Sequence, residues 1–254
     1  MRVRSVGLAL GMSARFGESF WHGLKQLLLP GVCWVCGQPL PPERDDLCAD
    51  CAAKITADPH STCPRCSSTV GPHVNAADGC PNCRGTTFAF EKAVRLGPYE
   101  GRLREVILRM KQPTGELLAE AMGELWAAHS EPLLKGLGVQ AIVPVPLHWT
   151  RRWLRGFNQS SVLARRVAQR LDVTFLPRVL RRIRSTRRQT EVTPAARREN
   201  VRGAFRAISH PALRDRSVLL IDDVLTTGCT ASEAAKALRN AGAKRVVVAV
   251  LGHG

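Results

Sequence analysis

Residues 218–230 read VLLIDDVLTTGCT, an apolar run that ends in two adjacent aspartates and continues into a loop of hydroxyls and a glycine. The run from Val218 to Ile221 has the length and the branched side chains of a buried strand. The chain has 37 Lys and Arg but only 21 Asp and Glu. Two neighbouring acids at the end of a strand in such a basic chain indicate that their negative charge serves to bind a ligand.

The segments on both sides of this stretch alternate between strand and helix patterns. Strand patterns lie at 88–99, 140–146 and 173–176 and in the run RVVVAVL from Arg245. Four helical faces are predicted from apolar residues three and four apart: Leu103, Val106, Ile107 and Met110; Leu117, Leu118, Ala121, Met122, Leu125 and Trp126; Leu163, Val167 and Leu171; Ala231, Ala234, Ala235 and Leu238. This order predicts an α/β fold, a parallel sheet flanked by helices.

The acidic pair and the loop after it predict a ligand site. In a parallel sheet of this kind, ligands bind beyond the carboxyl ends of the strands, where Asp222 and Asp223 are expected. The loop from Thr226 to Thr230 leads into a helix N-terminus, whose free N–H groups suit a phosphate. Thr230 and Glu233 have the spacing of a capping box, which predicts that this helix begins at Thr230. A carboxylate pair beside an anion site predicts a sugar phosphate, which carries a phosphate and a diol.

Two other interpretations of this stretch are weaker. A hydrophobic strand that ends in Asp-Asp resembles the magnesium-binding strand of a P-loop nucleotidase, but the chain contains no Gly-Lys pair and so lacks the Walker A lysine. A strand, turn and capped helix also occur as plain scaffold in every α/β protein. The complete thirteen-residue string argues against a purely structural role for this stretch.

Eight of the nine cysteines form four Cys-x-x-Cys pairs within fifty-one residues: Cys33/Cys36, Cys48/Cys51, Cys63/Cys66 and Cys80/Cys83. Two such pairs place four thiolates around one ion, so we predict two structural Zn²⁺ ions in a double zinc ribbon. Sequential pairing closes shorter loops and is favoured over a cross-brace, in which the first pair joins the third. Disulfides are the alternative, although bridges within Cys-x-x-Cys constrain little chain. His60 and His73 are expected in exposed loops, not as ligands.

The net charge of +16 belongs mostly to the residues after position 90. Between His148 and Arg206 there are sixteen arginines, no lysine and three acids. Arginine binds phosphate in bidentate fashion, and aromatic side chains among the arginines are possible stacking partners for bases. These aromatics are Trp149, Trp153, Phe157 and Phe175, of which both tryptophans are equally compatible with the core. A solvated surface, a pyrophosphate site and a single-stranded nucleic-acid site all remain open for this segment.

The chain divides into three predicted parts: a poorly ordered amphipathic lead-in at 1–30, the double zinc ribbon at 31–87 and the α/β domain at 88–254. No run of about eighteen apolar residues exists, so no transmembrane helix is predicted. The lead-in has a basic start and a short apolar stretch, but no A-x-A cleavage site follows. We therefore expect a cytoplasmic protein.

The stretch 218–230 resembles the loop with which type I phosphoribosyltransferases bind 5-phosphoribosyl-1-pyrophosphate (PRPP). In that family the acidic pair hydrogen-bonds the ribose hydroxyls, PRPP carries Mg²⁺, and the TTGxT segment holds the 5′-phosphate. The resemblance implies that Asp222 and Asp223 have the ribose-binding and catalytic role. It implies that the phosphate is held by Thr226, Thr227, Gly228, Cys229 and Thr230, with Cys229 in the variable position.

With the cysteine pairs, the segments RGFNQSSVLA (155–164) and STRRQTEVTPAARRENVRGAF (185–205) resemble the ComF family, which joins a zinc ribbon to a phosphoribosyltransferase-like domain. The resemblance covers nearly the whole chain from Leu28. It implies a pyrophosphate loop at Val143–Pro146 with Arg152 and Arg155, and a loop at 183–200 that closes over the site. It also implies a role with single-stranded DNA and competence-machinery proteins in natural transformation.

Two classes of function remain. In one, the protein binds PRPP and single-stranded DNA as an accessory to DNA uptake. In the other, it is an active phosphoribosyltransferase that transfers ribose 5-phosphate from PRPP to an acceptor. The sequence contains no recognisable base-binding signature, which favours the first class.

Overall fold

The computed structural model describes residues 31–41, 46–184 and 199–254. Contacts divide the chain into two compact units, residues 1–51 and 52–254. The first two Cys-x-x-Cys pairs lie in the first unit. Helix α1 (Ala49–Thr56) includes residues on both sides of the boundary between the units. The lead-in at 1–30 and residues 185–198 of the expected closing loop lie outside the described residues, and the domain boundary after residue 87 stays a prediction.

The second unit alternates strands with helices. Its strands are β1 (Ala93–Pro98), β2 (Ala141–Pro144), β3 (Thr174–Phe175), β4 (Leu180–Arg182), β5 (Phe205–Ala207), β6 (Ser217–Leu225) and β7 (Arg245–His253). Its helices are α2 (Gly101–Met110), α3 (Glu116–His129), α4 (Glu131–Gly136), α5 (Trp149–Arg155), α6 (Gln159–Leu171) and α7 (Cys229–Asn240). In the part of the chain described here, no helix is both long and apolar enough to cross a membrane.

Five strands form one parallel sheet in the order β1-β7-β6-β2-β3. The central strands β6 and β7 are buried over most of their length, because helices cover the sheet. The side chains of these two strands are accordingly mostly aliphatic. The predicted α/β fold with a parallel sheet is therefore confirmed. The antiparallel pair of β4 and β5 is a second, smaller sheet that the sequence pattern did not indicate.

The apolar faces of the helices follow the predicted spacing, except that Leu125 and Leu171 are only half-buried and Leu117 is exposed. All four predicted residues of α2 and all four of α7 are buried. The prediction that Leu117 of α3 faces the core is wrong, because the residue is 57% exposed. Its neighbour Leu118 is buried, and adjacent residues of a helix point about 100° apart, so only one of them faces the core with Met122 and Trp126.

Two predicted boundaries are also wrong. The strand expected over 88–99 begins only at Ala93, and the rings of Phe88 and Phe90, which lie before it, stack on each other at 4.5 Å. Helix α7 begins at Cys229 with Gly228 as its N-cap, so the capping box is absent. The Glu233 carboxylate accepts a hydrogen bond from Gly203 N–H at 2.9 Å instead.

Candidate functional site

The acidic pair lies inside β6, at the point where its neighbour β2 stops. The pairing of β2 with β6 ends at Pro144 opposite Ile221, while β7 continues beside β6 as far as Leu225. Asp222 and Asp223 therefore follow the last β2 pairing, where the sheet opens on one side of β6. The register of the strands, and not a loop, positions both carboxylates.

Three side chains from other elements converge on the two carboxylates. Ser160 Oγ donates to Asp222 Oδ1 at 2.9 Å, and Gln159 Nε2 donates to Asp223 Oδ2 at 3.0 Å. Lys111 Nζ lies 3.1 Å from the same Asp223 oxygen. The other carboxylate oxygens, Asp222 Oδ2 and Asp223 Oδ1, have no hydrogen-bond partner among the described residues. One acceptor oxygen of each aspartate is therefore left for a ligand.

The charges of this cluster are strongly coupled. Burial and, next, the charge of Asp223 raise the pKa of Asp222 to about 7, although Ser160 O–H and Asp223 N–H donate to its carboxylate. Burial opposes the charge of Lys111, but the carboxylate of Asp223 beside it raises the pKa of this ammonium overall. The lysine thus compensates part of the negative charge that the paired aspartates concentrate in one place.

Helix α6 brings Gln159 and Ser160 to the aspartates. The side chain of Asn158, which precedes the helix, donates from Nδ2 to the carbonyl of Val145 at 3.1 Å and so ties the helix start to the end of β2. The guanidinium of Arg155 donates to Gln159 Oε1 and fixes which end of the amide faces Asp223. Gln159 and Ser160 belong to the FNQSS motif, but the sequence alone does not place them or Lys111 in the site.

The loop from Thr226 to Thr230 is bent by a glycine. Gly228 has φ +74°, in the left-handed region where glycine is favoured, and it caps helix α7. Thr226 and Thr230 line the cleft beside the acidic pair. Thr227 faces away from this cleft, and its hydroxyl donates to Cys229 Sγ at 3.2 Å. The loop is therefore open to a ligand on the side of Thr226 and Thr230.

A cleft of about 650 Å³ contains the acidic pair and this side of the loop. Arg151, Arg155 and Arg182 line it, and burial, followed by the charge of Arg151, lowers the pKa of Arg182. Arg152, which was assigned to the site with Arg155, is exposed and does not line the cleft. The cleft also has an apolar wall, formed by Tyr99, Leu108, Pro113, Leu147 and Leu154.

Asp222 predicts a pH dependence of stability. Its pKa in the folded protein, about 7, is above the ordinary value of 3.8, so ionisation destabilises the fold progressively as the pH rises from about 4 to 7. In Asp222→Asn this penalty is absent. We expect thermal unfolding to show that the stability of the variant relative to wild type rises by about 2–3 kcal/mol between pH 5 and pH 8. A difference that stays constant with pH would contradict the shifted pKa.

The eight paired cysteines form two groups of four, each able to hold one metal ion: Cys33, Cys36, Cys48 and Cys51 in the first group; Cys63, Cys66, Cys80 and Cys83 in the second. Sequential pairing is confirmed over the cross-brace. His60 and His73 are exposed and belong to neither group. The ninth cysteine, Cys229, is also outside both groups.

The spacing of the sulfurs fits tetrahedral zinc. Four thiolates at about 2.3 Å from Zn²⁺ lie about 3.8 Å from one another. The Cys36 and Cys48 sulfurs lie 3.7 Å apart in the first group. In the second group the sulfurs of Cys63 and Cys83 lie 3.7 Å apart, and those of Cys66 and Cys80 lie 3.5 Å apart.

The thiols of the second group are too crowded to ionise together without a cation. Burial opposes the ionisation of Cys63, but backbone N–H groups lower its pKa to about 6. Burial raises the pKa of Cys66 to about 12, and it raises that of Cys83 as well. A bound Zn²⁺ would supply the positive charge that stabilises all four thiolates.

The arginine-rich segment has an exposed aromatic face. Trp149 and Trp153 lie one helical turn apart on α5 and are 70% and 81% exposed, so they are not core residues. Phe157 is buried and Phe175 is half-buried. The arginines at 187 and 188 lie outside the described residues.

Comparisons with known proteins agree with this architecture. A model of the phosphoribosyl transferase domain matches residues 158–253, which include the FNQSS motif from its Asn158 onward, the acidic pair and the loop after it. Competence protein F of Haemophilus influenzae is 31% identical over 225 residues, which cover 85% of this chain and 94% of that protein. The chain belongs to the ComF family. Its cysteine groups are consistent with the double zinc ribbon that the sequence indicated.

Other members of the ComF family cover the chain to the same extent. The DNA utilization protein YhgH of Escherichia coli strain K12 is 30% identical over 225 residues, which cover 87% of this chain and 96% of that protein. The solved structure of TT1426 from Thermus thermophilus aligns with 52% of this chain and 72% of that one, at 20% identity and a TM-score of 0.32.

Proposed function

We propose that this ComF-family protein binds PRPP with Mg²⁺, or a related sugar phosphate, in the cleft at the end of β2. The observation that carries the proposal is the acidic pair, held by Gln159, Ser160 and Lys111, with one acceptor oxygen on each aspartate left over. A vicinal diol presents two hydroxyl donors at a spacing that two neighbouring carboxylates can accept.

The rest of the cleft supports the same ligand. Thr226 and Thr230 line the cleft where α7 begins, and the N-terminus of a helix stabilises a phosphate. Three arginines line the cleft as well, and their forked donors suit a pyrophosphate. The carboxylate oxygens are also suitable ligands for Mg²⁺, which would supply positive charge to the phosphates.

A ligand panel with one variant tests the proposal. Thr230→Val removes a hydroxyl at nearly constant volume, and the loss of one hydrogen bond to a phosphate lowers affinity by about 10- to 100-fold. We expect calorimetry to show this loss for ribose 5-phosphate and for PRPP alike, with free pyrophosphate nearly unaffected because it contacts the arginines. Thr174→Val, at an exposed position of strand β3, is the matched control. Equal losses for all three ligands would contradict a phosphate site at Thr230.

We further propose that the protein binds single-stranded DNA and assists DNA uptake, as the names of its relatives suggest. Trp149 and Trp153 are exposed among arginines, and aromatic side chains in such positions stack with unpaired bases. An active phosphoribosyltransferase is the second candidate, because the apolar wall of the cleft leaves room for an acceptor. Release of pyrophosphate from PRPP in the presence of an acceptor panel separates the two candidates.

The salt dependence of DNA binding tests the arginines. If they contact the phosphate backbone, the logarithm of the affinity for single-stranded DNA should fall with log salt at a slope of ~0.7 per contacted phosphate. We expect reversal of Arg151, Arg152 and Arg155 to flatten this slope. Reversal of Arg214, Arg216 and Arg239, which are exposed and change the net charge equally, is the control. Equal slopes for both triple variants would assign the binding to net charge alone.

A further inference from the structure

Phe88 is shared between the second group of four cysteines and the core of the sheet. It packs against the buried cysteines of that group, and it also packs against the cluster of buried residues formed by the sheet and helix α7. Its ring is half-buried and stacks on that of Phe90. Phe88 therefore packs between the second cysteine group and the core of the sheet.

The same ring contacts the turn that starts helix α7. A Cβ added to Gly228 would lie 2.8 Å from Phe88 Cε1, so the ring fills the space beside this glycine. The backbone N–H of Ala89, the next residue, donates to Ser232 Oγ in the first turns of α7 at 3.0 Å. The segment around Phe88 is thus attached to the helix at whose start a phosphate would bind.

A second connection reaches the beginning of the loop. Ser68 Oγ lies 3.3 Å from Cys66 Sγ and 3.3 Å from His253 Nε2. The next residue, Gly254, donates its N–H to the carbonyl of Leu225 at 3.0 Å. Leu225 immediately precedes Thr226, so this connection leads from the ribbon through the end of β7 to the start of the loop.

Little space separates the ribbon from the loop. The gap between them is about 10 Å³, room for about one water molecule. Both surfaces contribute to its lining: Cys66, Ser68 and Cys83 from the ribbon, and Thr226, Thr227 and Gly228 from the loop. The ribbon and the loop therefore lie on opposite sides of the same small gap.

We propose that Phe88 is a positioning residue for the anion loop, residues 226–230, and that metal at the second group of four cysteines sets the affinity of this loop for a sugar phosphate. The inference rests on the proposed function, because it concerns the same phosphate site. Structural zinc ribbons fold only with their metal. Loss of the metal removes the support of Phe88, and a loop that is not held in its binding conformation binds more weakly.

Calorimetry with ribose 5-phosphate tests the proposal on zinc-loaded protein. We expect Phe88→Ala to keep two zinc ions and to bind ribose 5-phosphate at least about tenfold more weakly, which is the effect of losing a preorganised contact. Phe88→Leu, which restores apolar bulk, should recover most of the affinity. Free pyrophosphate should bind both variants as it binds wild type, a result that general destabilisation would not give.

The thiol of Cys229 supplies a readout that needs no ligand. It is the one cysteine outside both groups, and it lies in the anion loop. With zinc protecting the other eight thiols, a maleimide should label Cys229 faster in Phe88→Ala than in wild type or Phe88→Leu. Cys80→Ser should also weaken ribose 5-phosphate binding, and Cys33→Ser, in the other compact unit, is its control.

The outcomes separate this inference from the proposed function. If wild type binds no ribose 5-phosphate while Phe88→Ala accelerates labelling, the proposed ligand is wrong and the positioning role stands. If wild type binds the ligand and zinc-loaded Phe88→Ala matches it in both affinity and labelling rate, the positioning role is overturned. If Cys80→Ser does not fold, the Phe88 variants alone test the positioning role.

Discussion

Replacing Cys80 with serine is expected to lower the zinc content from two ions per chain to one and to unfold the second ribbon. The Cys80 sulfur lies 3.5 Å from that of Cys66 and completes a buried group of four thiols. The binding energy of structural zinc is folding energy, on the order of 10 kcal/mol. Metal analysis of purified protein, with thermal unfolding of the same samples, measures both effects.

Cys229→Ser is the matched control for this substitution. Cys229 is half-buried but belongs to neither group of four, so this variant should keep two zinc ions and unfold like wild type. Wild-type protein without metal, in which the eight thiols are oxidised in pairs, would show that the cysteines form disulfides and would contradict the zinc ribbons.

Replacing both Asp222 and Asp223 with asparagine is expected to weaken PRPP binding by about 100-fold or more. Each ionised acceptor that bonds a hydroxyl contributes about 1.5–3 kcal/mol, and asparagine keeps the size but removes the charge. The loss should appear in calorimetry with PRPP and Mg²⁺. Asp222→Asn lacks the destabilisation that ionised Asp222 causes at pH 8, and thermal unfolding of each variant shows whether weaker binding results from unfolding.

Asp215→Asn controls for the change of one acid to an amide. Asp215 is exposed and has φ +58°, a conformation that asparagine also tolerates. This variant should bind PRPP like wild type. If the double variant at 222 and 223 also bound PRPP like wild type, the acidic pair would not contact the ribose.

The fold and the cysteine groups were predictable because their signals are local. A strand such as VLLI and a helix face such as Ala231, Ala234 and Leu238 are visible within one turn or a few residues. The Cys-x-x-Cys pairs carry their own spacing, and the shorter loop closure favours sequential pairing. Each of these features depends on neighbours in the sequence, and the structure confirms them.

The partners of the acidic pair were not predictable, because they depend on the sheet register. Lys111 lies 112 positions before Asp223 in the chain, and only the packing of α2 beside β7 brings its ammonium to the carboxylate. Gln159 and Ser160 lay in a motif that was noticed, but the direction of their side chains follows from the bond between Asn158 and Val145.

The arginines and the start of helix α7 show a second limit of prediction from the sequence. Arg151 and Arg155 line the cleft, whereas Arg152 is exposed, because residues three and four apart share a helix face and adjacent residues do not. No sequence pattern indicates that residues 149–155 form a helix with this phase. At Thr230, the capping-box spacing was present, but the left-handed turn at Gly228 starts the helix earlier and releases Glu233 to bond Gly203.

Titration of the zinc-loaded protein with PRPP and Mg²⁺ is the most direct test of the proposed function. We expect binding at one site per chain, with a rise in the unfolding temperature that follows ligand concentration, because a ligand that binds only the folded state stabilises it by mass action. The rise should be much smaller in the Asp222→Asn and Asp223→Asn double variant. No heat and no stabilisation of wild type at millimolar PRPP with Mg²⁺ would contradict a PRPP site in this cleft.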